Sequence, residues 1–157
     1  MTTLYHTSNQ IVEHPDLQHS RRFLDFGVGF YLTPLREQAV HYGDRFKIAG
    51  SCAFLNTYIL DFVEENFIHK RFEHYDEEWL EFVAANRLGL PTAHYDIVEG
   101  GIANDKVFNT VDLFFSGLIT KEEALKRLLP MQPNWQICIL NQTILDNYLH
   151  FQSQTQI

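Results

Sequence analysis

The run DFGVGFYLTPLREQAVHY, from Asp25 to Tyr42, constrains this chain more than any other stretch. Its two glycines, followed by Phe, Tyr and Leu, read as a glycine-led strand over Gly27–Thr33. Thr33 then supplies a helix N-cap and Pro34 the first helical position, so the spacing predicts a helix that begins at Pro34. Leu35, Ala39 and Tyr42 share one face of that helix, and Gly43 is its expected stop. A strand that passes directly into a capped helix puts both a sheet and helices in the fold.

The rest of the chain extends that pattern without repeats, low-complexity tracts or linker-like stretches, so residues 1–157 read as one domain. Thr2–Thr7 reads as a first strand, Glu13–Asp25 as a loop and Cys52–Phe62 as a longer buried strand. Asp76 is the expected N-cap of a helix over Glu77–Arg87, with Trp79, Phe82, Val83 and Asn86 on one face and Gly89 ending it. Tyr95–Val98 reads as a short strand running into a turn at Gly100-Gly101, and Val107–Ser116 as a helix. Thr120 and Glu123 form a capping box that opens a helix to about Leu129. Asn134–Leu140 is an expected strand, and Gln142–Phe151 a final helix or strand. Separated strands with irregularly spaced helices indicate an α+β fold rather than a regular βαβ alternation.

Composition excludes several classes. With 45% hydrophobic residues the chain can build a core and is not intrinsically disordered. No apolar run approaches the roughly 20 residues of a membrane helix, and MTTLYHTSNQ has no signal-peptide pattern, which leads to the expectation of a cytoplasmic, membrane-free domain. The formal charge of −8, with scattered basic residues, argues against a protein that tracks a phosphate backbone. Cys52 and Cys138 make no disulfide framework. Phosphate-loop, dinucleotide-fingerprint, HExxH and nucleophile-elbow motifs are missing. The pairs His14/His19 and His69/His74 are spaced by five, which does not place two ligands on one helical face, so they read as solvated loop histidines and no metal site is expected. Most of the 13 Phe, 7 Tyr and 2 Trp belong to the core, leaving a few aromatics for a stacking platform.

Three segments stand apart from packing. They are LYHTS, with His6 at a strand end; the Asp25–Tyr42 run, with Tyr31 on the strand and Tyr42 on the helix; and NWQICIL, with polar Gln136 in an apolar strand. In this order they resemble the ADP-ribosyltransferase superfamily. The Phe26-Gly27-Val28-Gly29-Phe30-Tyr31 run is similar to the FGxGxYF pattern of its poly-ADP-ribose-polymerase-like type, in which a second Tyr follows at the spacing Tyr42 has here. The chain also resembles a small bacterial family of unknown function within that superfamily, whose patterns DFGxGFYLT, EEWLxFVxxNR, YDIVxG, TxDLxxxG and KEEAL run across nearly its whole length.

That resemblance implies a split β-sheet with peripheral helices and a cleft that takes NAD as substrate, without a metal. It implies catalytic roles for Gln136, His6 and Tyr31, and NAD contacts from His6, Thr7, Gly29, Tyr31 and Tyr42. His6 would hold the adenosine ribose, the Thr7 backbone the nicotinamide carboxamide, Tyr42 and Tyr31 the ring, and Gln136 the nicotinamide ribose. Breaking a glycosidic bond to a cationic pyridine needs mainly a clamp and charge stabilisation. Strongly active relatives carry Glu where this chain has Gln136, Gly at Thr7 and often Ser at Ala39. The implied activity is therefore mono-ADP-ribosylation of a macromolecule, protein rather than nucleic acid. The alternatives are a toxin-like NAD hydrolase and an inactive NAD- or ADP-ribose-binding module. Small toxin-like enzymes of this kind often have a neutralising partner protein. His69–Tyr75 and the segment from Gly100-Gly101 to Asn104-Asp105 are the expected cleft rim.

Overall fold

The computed structural model describes residues 1–22, 24–61, 66–103, 105–131 and 134–157. Phe62, the end of one expected strand, and Asn104 of the expected rim lie outside the described residues. Among the described residues seven strands form two sheets. The first holds β1 (Thr2–Ser8), β3 (Phe54–Leu60) and β7 (Leu149–Gln156) in the order β1-β3-β7, all antiparallel. The second holds β2 (Phe30–Leu32), β6 (Trp135–Ile139), β5 (Ile97–Gly101) and β4 (His69–Arg71) in the order β2-β6-β5-β4, with β4 parallel to β5 and the other pairs antiparallel. Helices α1 (Arg36–Tyr42), α2 (Asp44–Ile48), α3 (Glu77–Leu88), α4 (Asp105–Phe115), α5 (Lys121–Leu128) and α6 (Gln142–Asn147) complete an α+β fold.

Among the described residues the backbones of the two sheets meet at one antiparallel bridge, between Tyr5 of β1 and Thr33, just past β2. Tyr5 N–H donates to the Thr33 carbonyl and Thr33 N–H to the Tyr5 carbonyl, both at 2.9 Å.

Because successive strand residues point to opposite faces, the second sheet feeds two cores. Val98 and Cys138 join Phe26, Trp79, Leu80, Val83, Val107, Val111 and Leu128 in a core against α3, α4 and α5. Their neighbours Ile97, Ile137 and Ile139, with Phe30 and Leu32, face a second core shared with Leu4, Tyr58 and Leu60 of the first sheet and with Ile144 and Leu145 of α6. Covering both faces explains why every residue of β5 is buried.

The helix ends follow the expected chemistry. Asp76 accepts from Trp79 N–H, and left-handed Gly89 (φ 71°) closes α3. Thr120 accepts from Glu123 N–H and starts α5, while the Glu123 carboxylate turns forward to Arg127 at 3.1 Å. The buried face of α3 is Trp79, Leu80, Val83 and Ala84, with Phe82 half-buried beside it; Asn86 leaves that face to donate to the Asp25 carbonyl at 3.1 Å.

Four expectations are corrected. The helix after β2 begins at Arg36 rather than Pro34, because Thr33 is held in the sheet-joining bridge. Its hydroxyl accepts from Leu35 N–H at 3.1 Å and donates to the Trp135 carbonyl at 2.7 Å instead of capping a helix that starts at Pro34. Gly100-Gly101 is not a turn but the end of β5, paired with Gln136 and Trp135. A Cβ on Gly100 would lie 3.0 Å from Phe72 Cβ and 3.2 Å from its carbonyl oxygen, so the residue's missing side chain is what lets Phe72 cross. His69–Tyr75 is not a rim loop either: His69–Arg71 is strand β4, and Phe72 and Tyr75 are core residues. The last segment is helix and then strand, α6 followed by β7.

Gly29 meets a similar constraint where the chain enters β2. A Cβ there would lie 2.4 Å from Cys138 Sγ and 2.8 Å from the Ile139 carbonyl oxygen. Gly29→Ala is expected to cost about 2 kcal/mol by overpacking, measured by denaturant unfolding, whereas Val28→Ala, at a 46% exposed neighbour, should leave the midpoint within error.

Candidate functional site

His6 stands where the two sheets part. Tyr5 spends its N–H and carbonyl on Thr33, and the next same-edge pairing would be between Thr7 and Tyr31. Instead His6 Nδ1 lies 2.7 Å from the Tyr31 carbonyl oxygen. A carbonyl only accepts, so Nδ1 carries the proton and Nε2 is left as an acceptor. The ladder stops after one bridge, and the backbone N–H and carbonyl of Thr7 point from β1 toward the opened edge.

The His6 ring packs on Phe30, with centroids 4.3 Å apart, on the side of the second core. Asn56, fully buried opposite it in the register, fixes the surrounding backbone. Its amide donates to the His6 and Gln10 carbonyls at 3.3 and 3.2 Å, and its oxygen accepts from Val12 N–H at 3.0 Å. Burial lowers the His6 pKa below its ordinary value, only partly offset by the bond to Tyr31, so the imidazole is neutral at pH 7.

Tyr31, Thr33 and Gln136 project to the other face of the second sheet, and the bridge puts Tyr5 and Thr7 on that face as well. The Tyr31 hydroxyl donates to the Gly27 carbonyl at 2.7 Å and accepts from Phe26 N–H at 3.1 Å, so it staples the loop before β2. Burial pushes that phenol far above its ordinary pKa. Thr7 donates its hydroxyl to the Ala39 carbonyl at 2.6 Å and thereby fastens α1 to β1. At the end of α1, Tyr42 is 42% exposed. Arg45 sits 4.1 Å over its ring and donates to its hydroxyl at 2.9 Å. The Gln136 amide nitrogen is buried, and among the described residues nothing accepts from it. A buried amide donor without a partner costs on the order of 1–3 kcal/mol, and a ligand oxygen would relieve it.

The sequence-predicted residues thus divide. Thr7, Tyr31 and Gln136 lie on one face and Tyr42 ends the helix that Thr7 fastens to β1, while the His6 ring lies on the other face and reaches Tyr31 only through its backbone. Gly29 contributes close packing against β6.

A second constellation escaped the sequence reading. A cleft of about 440 Å³ opens at the end of the second core, floored by Pro34, Leu60, Ile97 and Ile137. One wall is Glu99, 8% exposed in the middle of apolar β5. His69 Nε2 lies 2.6 Å from one carboxylate oxygen. Arg71 Nη1 and Trp135 Nε1 donate to the other at 2.8 and 3.1 Å. The Arg71 guanidinium also stacks 4.7 Å over the Trp135 ring. Burial alone would raise the Glu99 pKa, but the His69 hydrogen bond, the His69 and Arg71 charges and the Trp135 N–H outweigh it and hold the carboxyl below its ordinary value. His69 is therefore not a solvated loop histidine. The available signal was an acid inside the otherwise apolar strand IVEGG. Among the described residues no group of three or more His, Cys, Asp or Glu is placed to hold a metal ion, and no helix is long and apolar enough to cross a membrane.

The family described as protein of unknown function (DUF3990) matches residues 2–151, nearly the whole chain, so the chain belongs to it. No curated protein and no solved structure matches the chain.

His6 and Glu99 each make stability depend on pH. A histidine whose folded pKa is depressed contributes fully above its unfolded value near 6.5 and loses that contribution as pH falls. Denaturation midpoints should therefore fall from pH 8 to pH 5, and His6→Gln should flatten that part of the profile. Glu99 contributes above its unfolded value near 4.5 and loses its contribution as pH falls through its lower folded value, so Glu99→Gln should remove part of the acid-unfolding slope.

Proposed function

We propose that this DUF3990 chain binds NAD at the opened edge between β1 and β2 and transfers its ADP-ribose to a macromolecular acceptor, releasing nicotinamide. The observation that carries the reading is that His6 caps the Tyr31 carbonyl. That contact turns the Thr7 backbone into a paired donor and acceptor at the edge of a split sheet. A primary carboxamide, with its own N–H and C=O, is the complementary group. The seven-strand arrangement, parted between β1 and β2, supports an ADP-ribosyltransferase-like split sheet with peripheral helices.

The residues on the shared face supply the remaining requirements. Tyr42 offers a partly exposed ring at the end of α1 that already carries the Arg45 guanidinium, a place a cationic pyridine ring would take, and Tyr31 a ring fixed by its hydroxyl to the preceding loop. The orphaned Gln136 amide offers a donor to a ribose hydroxyl. The neutral imidazole of His6, on the opposite face, acts through the Tyr31 carbonyl that it caps. In the reaction the bond between the ribose C1′ and the pyridine nitrogen breaks, and its electron pair neutralises the ring. The acceptor's nucleophile then bonds to C1′ and gives up its proton. Clamping ring and sugar is the protein's main contribution. Gln136 brings a dipole but no charge to the oxocarbenium-like centre, which suits a single transfer better than chain elongation.

A second reading, binding without turnover, draws on Thr7. Its β-branched side chain is bonded to the Ala39 carbonyl at 2.6 Å, and its Cγ2 lies 3.3 Å from where a Cβ on Gly43 would stand. That narrows the space between β1 and α1.

Incubation with labelled NAD and a cell lysate is expected to label macromolecules and release nicotinamide. Tyr42→Ala should cut both at least about tenfold, in line with loss of a desolvated cation–π contact, and Gln136→Glu should raise them. NAD binding by calorimetry without nicotinamide release, unchanged in Gln136→Glu, would establish the second reading. Absence of both binding and release would overturn the assignment.

A further inference from the structure

The Glu99 cleft lies on the face of the second sheet opposite Tyr31 and Gln136, and the NAD reading makes no use of it. Glu99 is a buried carboxylate in a strand whose other residues are apolar or glycine. Clusters of this kind contribute little net stability, because desolvation offsets the attraction, and an apolar replacement is on average no worse. Stability alone therefore does not account for three donors from β4 and β6 converging on one carboxylate at the wall of a cavity.

The wall and floor specify a ligand chemistry. An ionised carboxylate has about four acceptor positions, and His69, Arg71 and Trp135 occupy three. The remaining position asks for one further donor. Arg71, already paired with Glu99 at 2.8 Å, supplies the compensating charge, so a neutral N–H fits better than a second cation. Leu60, Ile97 and Ile137 form an apolar floor, and the wall is lined by the flat Trp135 indole and by Arg71, whose guanidinium lies 4.7 Å over that ring. Trp135 is also held rigidly, since Gln38 of α1 donates to its carbonyl at 3.0 Å and accepts from its N–H at 3.2 Å. An apolar floor disfavours a sugar alone, and the carboxylate disfavours a hydrocarbon. A volume of about 440 Å³ lies in the range of small-molecule sites.

We infer that this cleft binds a small, neutral, flat heterocycle that presents an N–H to Glu99 and a π-face to Trp135, the chemistry of a nucleobase.

Intrinsic fluorescence tests it directly. Of the two tryptophans, Trp79 is fully buried in the other core, so Trp135 reports on the cleft. Adenosine, guanosine and cytidine are titrated against the full chain, with toluene as a donor-free control and benzylamine as a cationic one. At least one nucleoside is expected to quench the emission saturably, and Glu99→Gln to weaken that binding about tenfold, the loss of one charge-assisted hydrogen bond. Leu60→Phe fills the floor without touching the ion cluster and should abolish binding with the circular dichroism of the fold retained. No saturable change with any nucleoside up to millimolar concentration overturns the inference. So does tighter binding of benzylamine or toluene, or unaltered binding in a folded Glu99→Gln. Where Glu99→Gln fails to fold, Leu60→Phe decides: binding that survives the filled floor overturns the site.

Discussion

Among the described residues one two-hydrogen-bond bridge, Tyr5 to Thr33, joins the backbones of the two sheets, and the contact from His6 to the Tyr31 carbonyl ends it. A strand pair left to itself would continue to zip, because each unpaired backbone group near the interior is costly. The imidazole prevents this by taking the acceptor that Thr7 would use. The pairing is thus stopped by a side chain, and the freed backbone of β1 remains turned to an edge. That edge offers a carboxamide its complementary donor and acceptor. The burial that depresses the His6 pKa also keeps the ring neutral, so the stop does not depend on a charge.

The bridge also fixes which side chains can meet. Register carries Tyr5, Thr7, Tyr31, Thr33 and Gln136 to one face, and Leu4, His6, Phe30, Leu32 and Ile137 to the other. The division shows in the cores, where neighbours along β2, β5 and β6 fall in different clusters. Glu99 and Gln136 lie on adjacent strands but on opposite faces, because Gly100, not Glu99, is paired with Gln136. The Glu99 carboxylate therefore cannot replace the charge that Gln136 lacks.

Much of the fold was legible because its signals are local. The Asp76 cap, the Gly89 stop and the Thr120 cap each depend on residues within four positions, and each stands in the structure as the sequence implies. The glycine-led approach to β2 was legible as a strand; that Gly29 serves contact with Cys138 was not, since the two are far apart in sequence. Gly100-Gly101 looked like a turn because glycine is the commonest turn residue. Here its small size admits Phe72 instead, a long-range reason that no window contains. Strand β4 has only three residues and two are basic, so neither length nor alternation marks it. The Glu99 cluster needed β4, β5 and β6 assembled before its members became neighbours. The candidate site residues were legible by type and order, but the face each one uses was set by the bridge.

Residues Trp135 and Gln136 bring the two candidate sites back to back. They are consecutive on β6, so alternation sends the indole toward the Glu99 cleft and the amide toward the opened edge. Helix α1 touches both arrangements: Gln38 bonds the Trp135 backbone in both directions, Thr7 bonds Ala39, and Tyr42 ends the helix. Seven residues of helix would be marginal on their own, so these polar ties to β1 and β6 hold α1 in place where an apolar stripe does not. Only Ala39 of this helix is buried. The wall that carries Tyr42 is therefore positioned by directional hydrogen bonds, which fix angle and distance more tightly than apolar contact, the property a stacking platform requires.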